Sequence, residues 1–241
     1  PGSEHGMYVD HNDNVWISGN SAAGSGQGAG RGGPPWATNK EGGDGFVLKF
    51  DRNGNFKMRI GGTPRGPNSN DMHGGVDDTP LLYQAADMVV DPATNRLYVS
   101  DGYGNRRVLI VDANTGKYIG HFGAYGNNPV DDRAATAAYK RHWGAYGKPP
   151  NDDKQAAYDP KAPVSQQFGN PVHCVKIAND GRIYVCDRGN DRIQVFDSND
   201  PALGKPCSNP AGEAGKCGFV AEQLISEHTN IIRTAVSMNL Y

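Results

Sequence analysis

The sequence predicts an all-β protein built from repeated antiparallel units, on three observations. Thirty-three glycines and sixteen prolines in 241 residues weaken helix interiors along the whole chain. Short runs of β-branched and aromatic residues alternate with clusters of turn formers, as in Leu97-Tyr98-Val99, Val108-Leu109-Ile110-Val111, Ile183-Tyr184-Val185 and Ile193-Gln194-Val195-Phe196. The third observation is an internal repeat, in which strand, tight turn, strand, polar turn and strand follow one another three times.

Taken in order, the first unit is EHGMYVDHNDNVWISGN (4–20), resumed by DGFVLKFDRNGNFKMRIGG (44–62). The second is AADMVVDPATNRLYVSDGYGNRRVLIVDANTGKYIGHFG (85–123), with its first turn at ATNR (93–96). The third is NPVHCVKIANDGRIYVCDRGNDRIQVFD (170–197), with FVAEQLI (219–225) as its closing strand. Its first turn, NDGR (179–182), contains the Asp-Gly pair that is a strong hairpin signal. A fourth, outer strand completes each unit, and four antiparallel strands repeated at this size predict the blades of a β-propeller. Blade units are therefore placed at about 4–62, 85–123 and 170–225.

Ser18, Ser100 and Cys186 occupy matching places at about twice the ~40–45-residue period of a lone blade. Insertions at 21–43, 63–84, 124–168 and 198–218 account for the surplus, and they are expected to cluster on one rim, where propellers bind their ligands. The third insertion region carries a duplication, HFGAYGNNPVDD (121–132) against HWGAYGKPPNDD (142–153), with a short helix predicted over 131–141. The chain is read as one propeller domain over 1–241, with three blades and the first strand of a fourth near IIRTAVSMNLY. Closed propellers use ~4–8 blades, so the expectation is a partial chain.

Twenty-four basic and twenty-six acidic residues leave a formal charge of −2, with no basic cluster. That excludes a dedicated nucleic-acid binder, whose affinity rests on phosphate neutralisation. No apolar run approaches the ~18–20 residues of a membrane span. The sequence opens on Pro1 with no charged-then-apolar leader. Cys207 and Cys217 bracket the turn-rich loop CSNPAGEAGKC. They are read as a disulfide, and hence as a sign of a periplasmic or secreted protein, with two free thiols as the alternative. Cys174 and Cys186 lie on consecutive strands and either pair or fill space as small apolar groups.

The pattern Asp187–Asn190–Arg192–Ile193, repeated at Asp101–Asn105–Arg107–Val108, resembles the NHL-repeat propeller family. The favoured reading of these polar residues is structural: the short side chain caps a turn, and the arginine reaches an acidic or carbonyl group on a neighbouring blade. The strings EHGMYVD, YVSDGYGNRRV, PVHCVKI and YVCDRGNDRIQVF further resemble the lyase domain of peptidylglycine α-amidating enzymes. That resemblance implies cleavage of the C–N bond of a peptidyl α-hydroxyglycine, giving a peptide amide and glyoxylate. It implies zinc on the axis of a six-bladed propeller, with His5 and His173 as two of three histidine ligands, Tyr103 as the catalytic base and Arg188 as a carboxylate clamp. It also implies a calcium ion held by the backbone carbonyl of Met7. Gly104 stands where the family has a cysteine beside the tyrosine, and Cys186 falls at a different offset from the family's second cysteine pair.

The residues point the same way by position. His5 and His173 open the first strand of their units, the strand that lines a propeller's channel, and Ala86 holds that place in the unit between. Three imidazoles from alternate blades would leave an open fourth position, as a catalytic zinc site requires. The third ligand is expected beyond residue 241. His228 is read as a loop residue, and His11, His73, His121 and His142 as surface or loop residues. The structural alternatives are satisfied channel histidines, a rim aromatic at Tyr103 and an inter-blade salt bridge at Arg188. A small peptide-like or carboxylate substrate follows from the lyase reading. Competing with it are a non-catalytic module whose long loops dock a protein partner, and a lactonase-type propeller hydrolase, against which the histidines count.

Overall fold

The computed structural model describes residues 4–19, 44–62, 71–103, 105–129, 166–169, 171–190 and 192–224. Among them are twelve strands and no α-helix. The first four are β1 (Glu4–Val9), β2 (Val15–Gly19), β3 (Phe46–Phe50) and β4 (Phe56–Gly61). Next come β5 (Asp87–Val90), β6 (Arg96–Asp101), β7 (Arg107–Asp112) and β8 (Tyr118–Phe122). The last four are β9 (Val172–Ile177), β10 (Arg182–Asp187), β11 (Arg192–Asp197) and β12 (Phe219–Leu224). They form three sheets, β1-β2-β3-β4, β5-β6-β7-β8 and β9-β10-β11-β12, each meandering in chain order with antiparallel pairing throughout. The inner strand β5 lies beside both β1 and β9. The sheets are thus consecutive blades of a partial β-propeller.

Side-chain alternation decides which blade faces which. Met88, Val90, Leu97, Val99, Leu109 and Val111 of the middle blade meet Trp16, Val47 and Ile60 of the first. Val89, Tyr98, Val108 and Ile110 point the other way, into a core with Val172, Val175, Ile183 and Phe196 of the third. Both faces of the middle blade are covered, which is why β7 reads as an unbroken apolar run. The outer face of the first blade is less covered: Met7 and Val9 of β1 are exposed.

Because the strands alternate in direction, the starts of the first and third strands of each blade share an edge with the ends of the second and fourth. We call this the upper edge. The connections that carry the insertions 21–43, 63–84 and 124–168 leave from it, as expected. The insertion 198–218 does not. It joins β11 to β12 from the opposite edge and packs along β8, where Gly204 O accepts from His121 N and Cys207 O from Asn128 N. Nor is 63–84 wholly a surface loop, since Leu82 is fully buried between the first two blades. The helix expected over 131–141, together with His142 and His228, lies outside the described residues.

The polar pattern has the structural role expected of it, with a change of partners. Asp101 accepts from Arg107 Nε (3.0 Å), Asn105 Nδ2 (2.8 Å) and Tyr83 N (2.9 Å). Asp187 accepts from Arg192 Nε, Asn190 Nδ2 and Gly169 N, each at 2.7 Å. The arginines then bind carbonyls of their own blade's incoming segment, Leu81 O for Arg107 and Gln167 O for Arg192. A buried guanidinium has five donors to satisfy, and the connection that enters the blade supplies acceptors at the right height.

His121 lies in β8, not in a loop. Burial, and then the Arg107 guanidinium, push its pKa down to about 4, from roughly 6.5 in an unfolded chain. Below that unfolded value the unfolded chain takes the proton first. Stability from the neutral imidazole is therefore complete above about pH 6.5 and lost as the pH falls toward 4. The stability advantage of the parent over His121→Gln is expected to shrink by about 3 kcal/mol between pH 7.5 and pH 4. Urea titrations at the two pH values measure it, and equal pH slopes in the two proteins would count against it.

Candidate metal centre at the upper edge of the inner strands

Two register breaks set the site. In the first blade Met7 pairs with Ile17, but Glu4 pairs with Gly19, so β1 carries an extra residue across the His5–Gly6 step. In the third blade Cys186 pairs with Cys174 and Asp187 with Val172, so His173 is the extra residue of β9. The pairing of β5 with β6 runs without a break. Bulges re-aim side chains and are common beside active sites, and here both candidate ligands sit in one. Gly6 makes the first bulge possible, since a Cβ there would lie 2.7 Å from both Ala86 O and Ser18 Oγ.

His5 and His173 meet edge to face, ring centroids 5.0 Å apart. Tyr103 reaches them from the β6–β7 turn of the middle blade, its ring 5.3 Å from His5 and 6.1 Å from His173. That turn lies against β9 because residue 102 is glycine: a Cβ there would overlap the backbone of Val172. Arg188 follows β10 directly, and its guanidinium carbon stands 5.9 Å from the Tyr103 ring centroid. All three blades therefore contribute to one cluster of His5, Tyr103, His173 and Arg188.

Hydrogen bonding selects the His5 tautomer. Nδ1 is 2.8 Å from Ala86 O, and a carbonyl only accepts, so Nδ1 carries the hydrogen. Nε2 is then the acceptor for the Tyr103 hydroxyl at 3.1 Å. An imidazole anchored through one nitrogen to a backbone carbonyl presents its other lone pair in the manner of metal-binding histidines. Two imidazoles and a phenol within reach are donors that suit zinc. The described residues contain no group of three His, Cys, Asp or Glu placed to hold a metal, so the fit extends to the two histidines.

The other expected residues lie elsewhere. Met7 is in β1 opposite Ile17, its side chain 72% exposed. His11 sits in the exposed β1–β2 turn, and His73 pairs with Asp78 on the surface. Cys207–Cys217 is a disulfide in the 198–218 segment, which gives no residue to the cluster, and Cys174 and Cys186 form a second one. That second pair had a usable signal, because the two cysteines are equally spaced about Asp180 in a tight hairpin and so must oppose each other. The bulges and the Ala86 carbonyl had none, being properties of backbone register.

The fold and cluster define a propeller-type β protein with a polar, histidine-bearing end to its inner strands. The NHL repeat family model matches residues 172–196, from β9 nearly to the end of β11, and takes in Asp187, Asn190 and Arg192. The third blade is therefore similar to an NHL repeat. No curated protein matches the chain. Among solved structures it is similar to one described as a streptogramin B lyase structure, at 11% identity and a TM-score of 0.36. That alignment covers 82% of this chain but only 38% of the other, so the chain spans well under half of that structure's length.

Proposed function

We propose that this cluster is part of the active centre of a zinc-dependent carbon–nitrogen lyase, acting on a peptide-like α-hydroxyglycine outside the cytoplasm. The observation that carries the reading is the Tyr103 hydroxyl 3.1 Å from His5 Nε2, with His173 and Arg188 closing round the same tyrosine. His5 and His173 would hold the metal, which when bound supplies polarisation of a hydroxyl or carboxylate oxygen. With His5 Nε2 given to the metal rather than to the phenol, Tyr103 would act as its phenolate, taking the proton of the substrate hydroxyl at its oxygen and returning it to the leaving amide nitrogen. The C–O bond becomes a carbonyl, and the C–N bond breaks with its electron pair going to the amide nitrogen, which regains a proton. Arg188 clamps the substrate carboxylate through parallel N–H donors. The two disulfides suit an oxidising compartment. We give calcium at Met7 no part in this reading.

Protein purified without chelator is expected to contain zinc, and His5→Ala and His173→Ala to lose it. Tyr103→Phe is expected to keep zinc and lose glyoxylate release from an α-hydroxyglycine peptide by about 10²–10⁴-fold. Turnover left intact by that variant would remove Tyr103 from the mechanism. A metal-free protein that binds a protein partner instead would favour the non-catalytic module.

A further inference from the structure

We propose that the Cys174–Cys186 disulfide is the positioning element of this cluster: it holds the bulge that aims His173, and so sets metal affinity. The proposal rests on the reading of His5 and His173 as metal ligands. Pairing between β9 and β10 is regular from Ile183–Ile177 up to Cys186–Cys174 and breaks at the next step, where Asp187 meets Val172. The disulfide is therefore the last regular rung, and His173 is the residue left over just beyond it. A bulged residue has lost part of its ladder, so its direction is set by what grips the chain on either side. On one side Val172 is pressed against Gly102. On the other side the grip is the covalent bond, between residues whose Cα atoms are 4.9 Å apart and which are 4% and 0% exposed. Cys186 also precedes Asp187 and Arg188, so the same bond fixes the strand end from which Arg188 departs.

The matching rungs of the other blades show that the fold itself needs no cross-link there. In the first blade the residue after the histidine is Gly6, close to Ser18. In the second blade Asp87 pairs with Ser100, whose hydroxyl donates to Asp87 O at 3.1 Å, with neither bulge nor histidine. The third blade alone among these carries a covalent bond, and its hairpin turn already brings the two strands together. The bond's specific contribution is thus local rigidity beside His173. Cys207–Cys217 closes a comparable span, 10 residues against 12, in the segment before β12, which gives no residue to the cluster, and it serves as the control.

The experiment compares the full chain with Cys174→Ala/Cys186→Ala and with the matched control Cys207→Ala/Cys217→Ala. Zinc affinity is read by competition with a chromophoric chelator. The His5–His173 ring contact is read in zinc-free protein as a nuclear Overhauser effect between imidazole protons. The first variant is expected to bind zinc about 10–100-fold more weakly, the range for loss of groups that orient a ligand, and to lose the ring contact. The control is expected to keep both. Parental affinity and an intact ring contact in the first variant would overturn the proposal, as would equal losses in the control. Should the first variant not fold, reduction of the Cys207→Ala/Cys217→Ala protein opens only Cys174–Cys186, and the same two readouts apply. If the parent takes up no zinc, the metal reading fails, while the ring contact still judges the positioning role.

Discussion

Replacing Asp187 by alanine is expected to destabilise the protein by about 3–5 kcal/mol, the cost of breaking a buried ion pair from one side. Asp187 and Arg192 both have fully buried side chains, with Nε 2.7 Å from Oδ2. The same carboxylate accepts from Asn190 Nδ2 and from Gly169 N, both part-buried, so its loss leaves the buried Arg192 Nε without its acceptor and loosens two further donors. Arg192 keeps Glu222 and the Tyr125 hydroxyl, each 2.9 Å from Nη1, but neither can serve Nε. Replacing both partners with leucine removes the charges together and is expected to cost less than Asp187→Ala alone. Urea unfolding of the single and double variants measures both effects. A single variant within about 1 kcal/mol of the parent, the worth of an exposed pair, would show that water reaches this carboxylate. Asp187 also pairs with Val172, next to His173, so zinc affinity is expected to fall with stability.

Gly102→Ala is expected to have the second large effect, and on the site as well as on the fold. The added methyl group would overlap the Val172 carbonyl oxygen and approach its nitrogen. These are backbone atoms of β9, which cannot rotate aside as a side chain can. The β6–β7 turn must therefore move off the third blade, taking Tyr103 away from the two histidines. Overpacking of this kind costs about 1–3 kcal/mol, and the tyrosine–histidine contacts go with it. Gly54→Ala is a useful contrast, because Gly54 has open space around its Cβ direction and only a positive φ of 81° to oppose a side chain. Its cost should be confined to stability, with zinc binding untouched. Gly102→Ala with parental stability and parental zinc affinity would mean that the turn and β9 are not locked together.

Much of the fold was legible because its causes are local. Asp-Gly at 180–181 specifies a tight hairpin, and alternation specifies which residues of β10 and β11 face inward. Asp187 and Asn190 lie close enough in sequence for a capped turn to be expected, while Arg192, expected to reach a neighbouring blade, closes on Asp187 of its own turn. Of the candidate site, His5 and His173 were legible from their place in the repeat and Tyr103 and Arg188 only through the family resemblance, and the structure brings the four together. Where expectation and structure part, the cause is non-local. The segment 198–218 finds its partners on the preceding blade, and His121 is half-buried by strand neighbours that its own surroundings in sequence do not announce.

The sequence alone settles the antiparallel units and their turns, since each depends on residues a few positions apart, whereas the arginines' pairing with Asp101 and Asp187 of their own blades came from the structure. Only the tertiary structure aims the cluster. The Tyr103–His5 contact spans 98 positions, the Ala86 carbonyl that orients His5 is a backbone atom, and the bulges that turn both histidines inward exist only once strands have chosen a register. Side-chain pattern specifies local conformation, whereas convergence of distant residues depends on how whole strands pair and how closely glycine lets one blade approach the next.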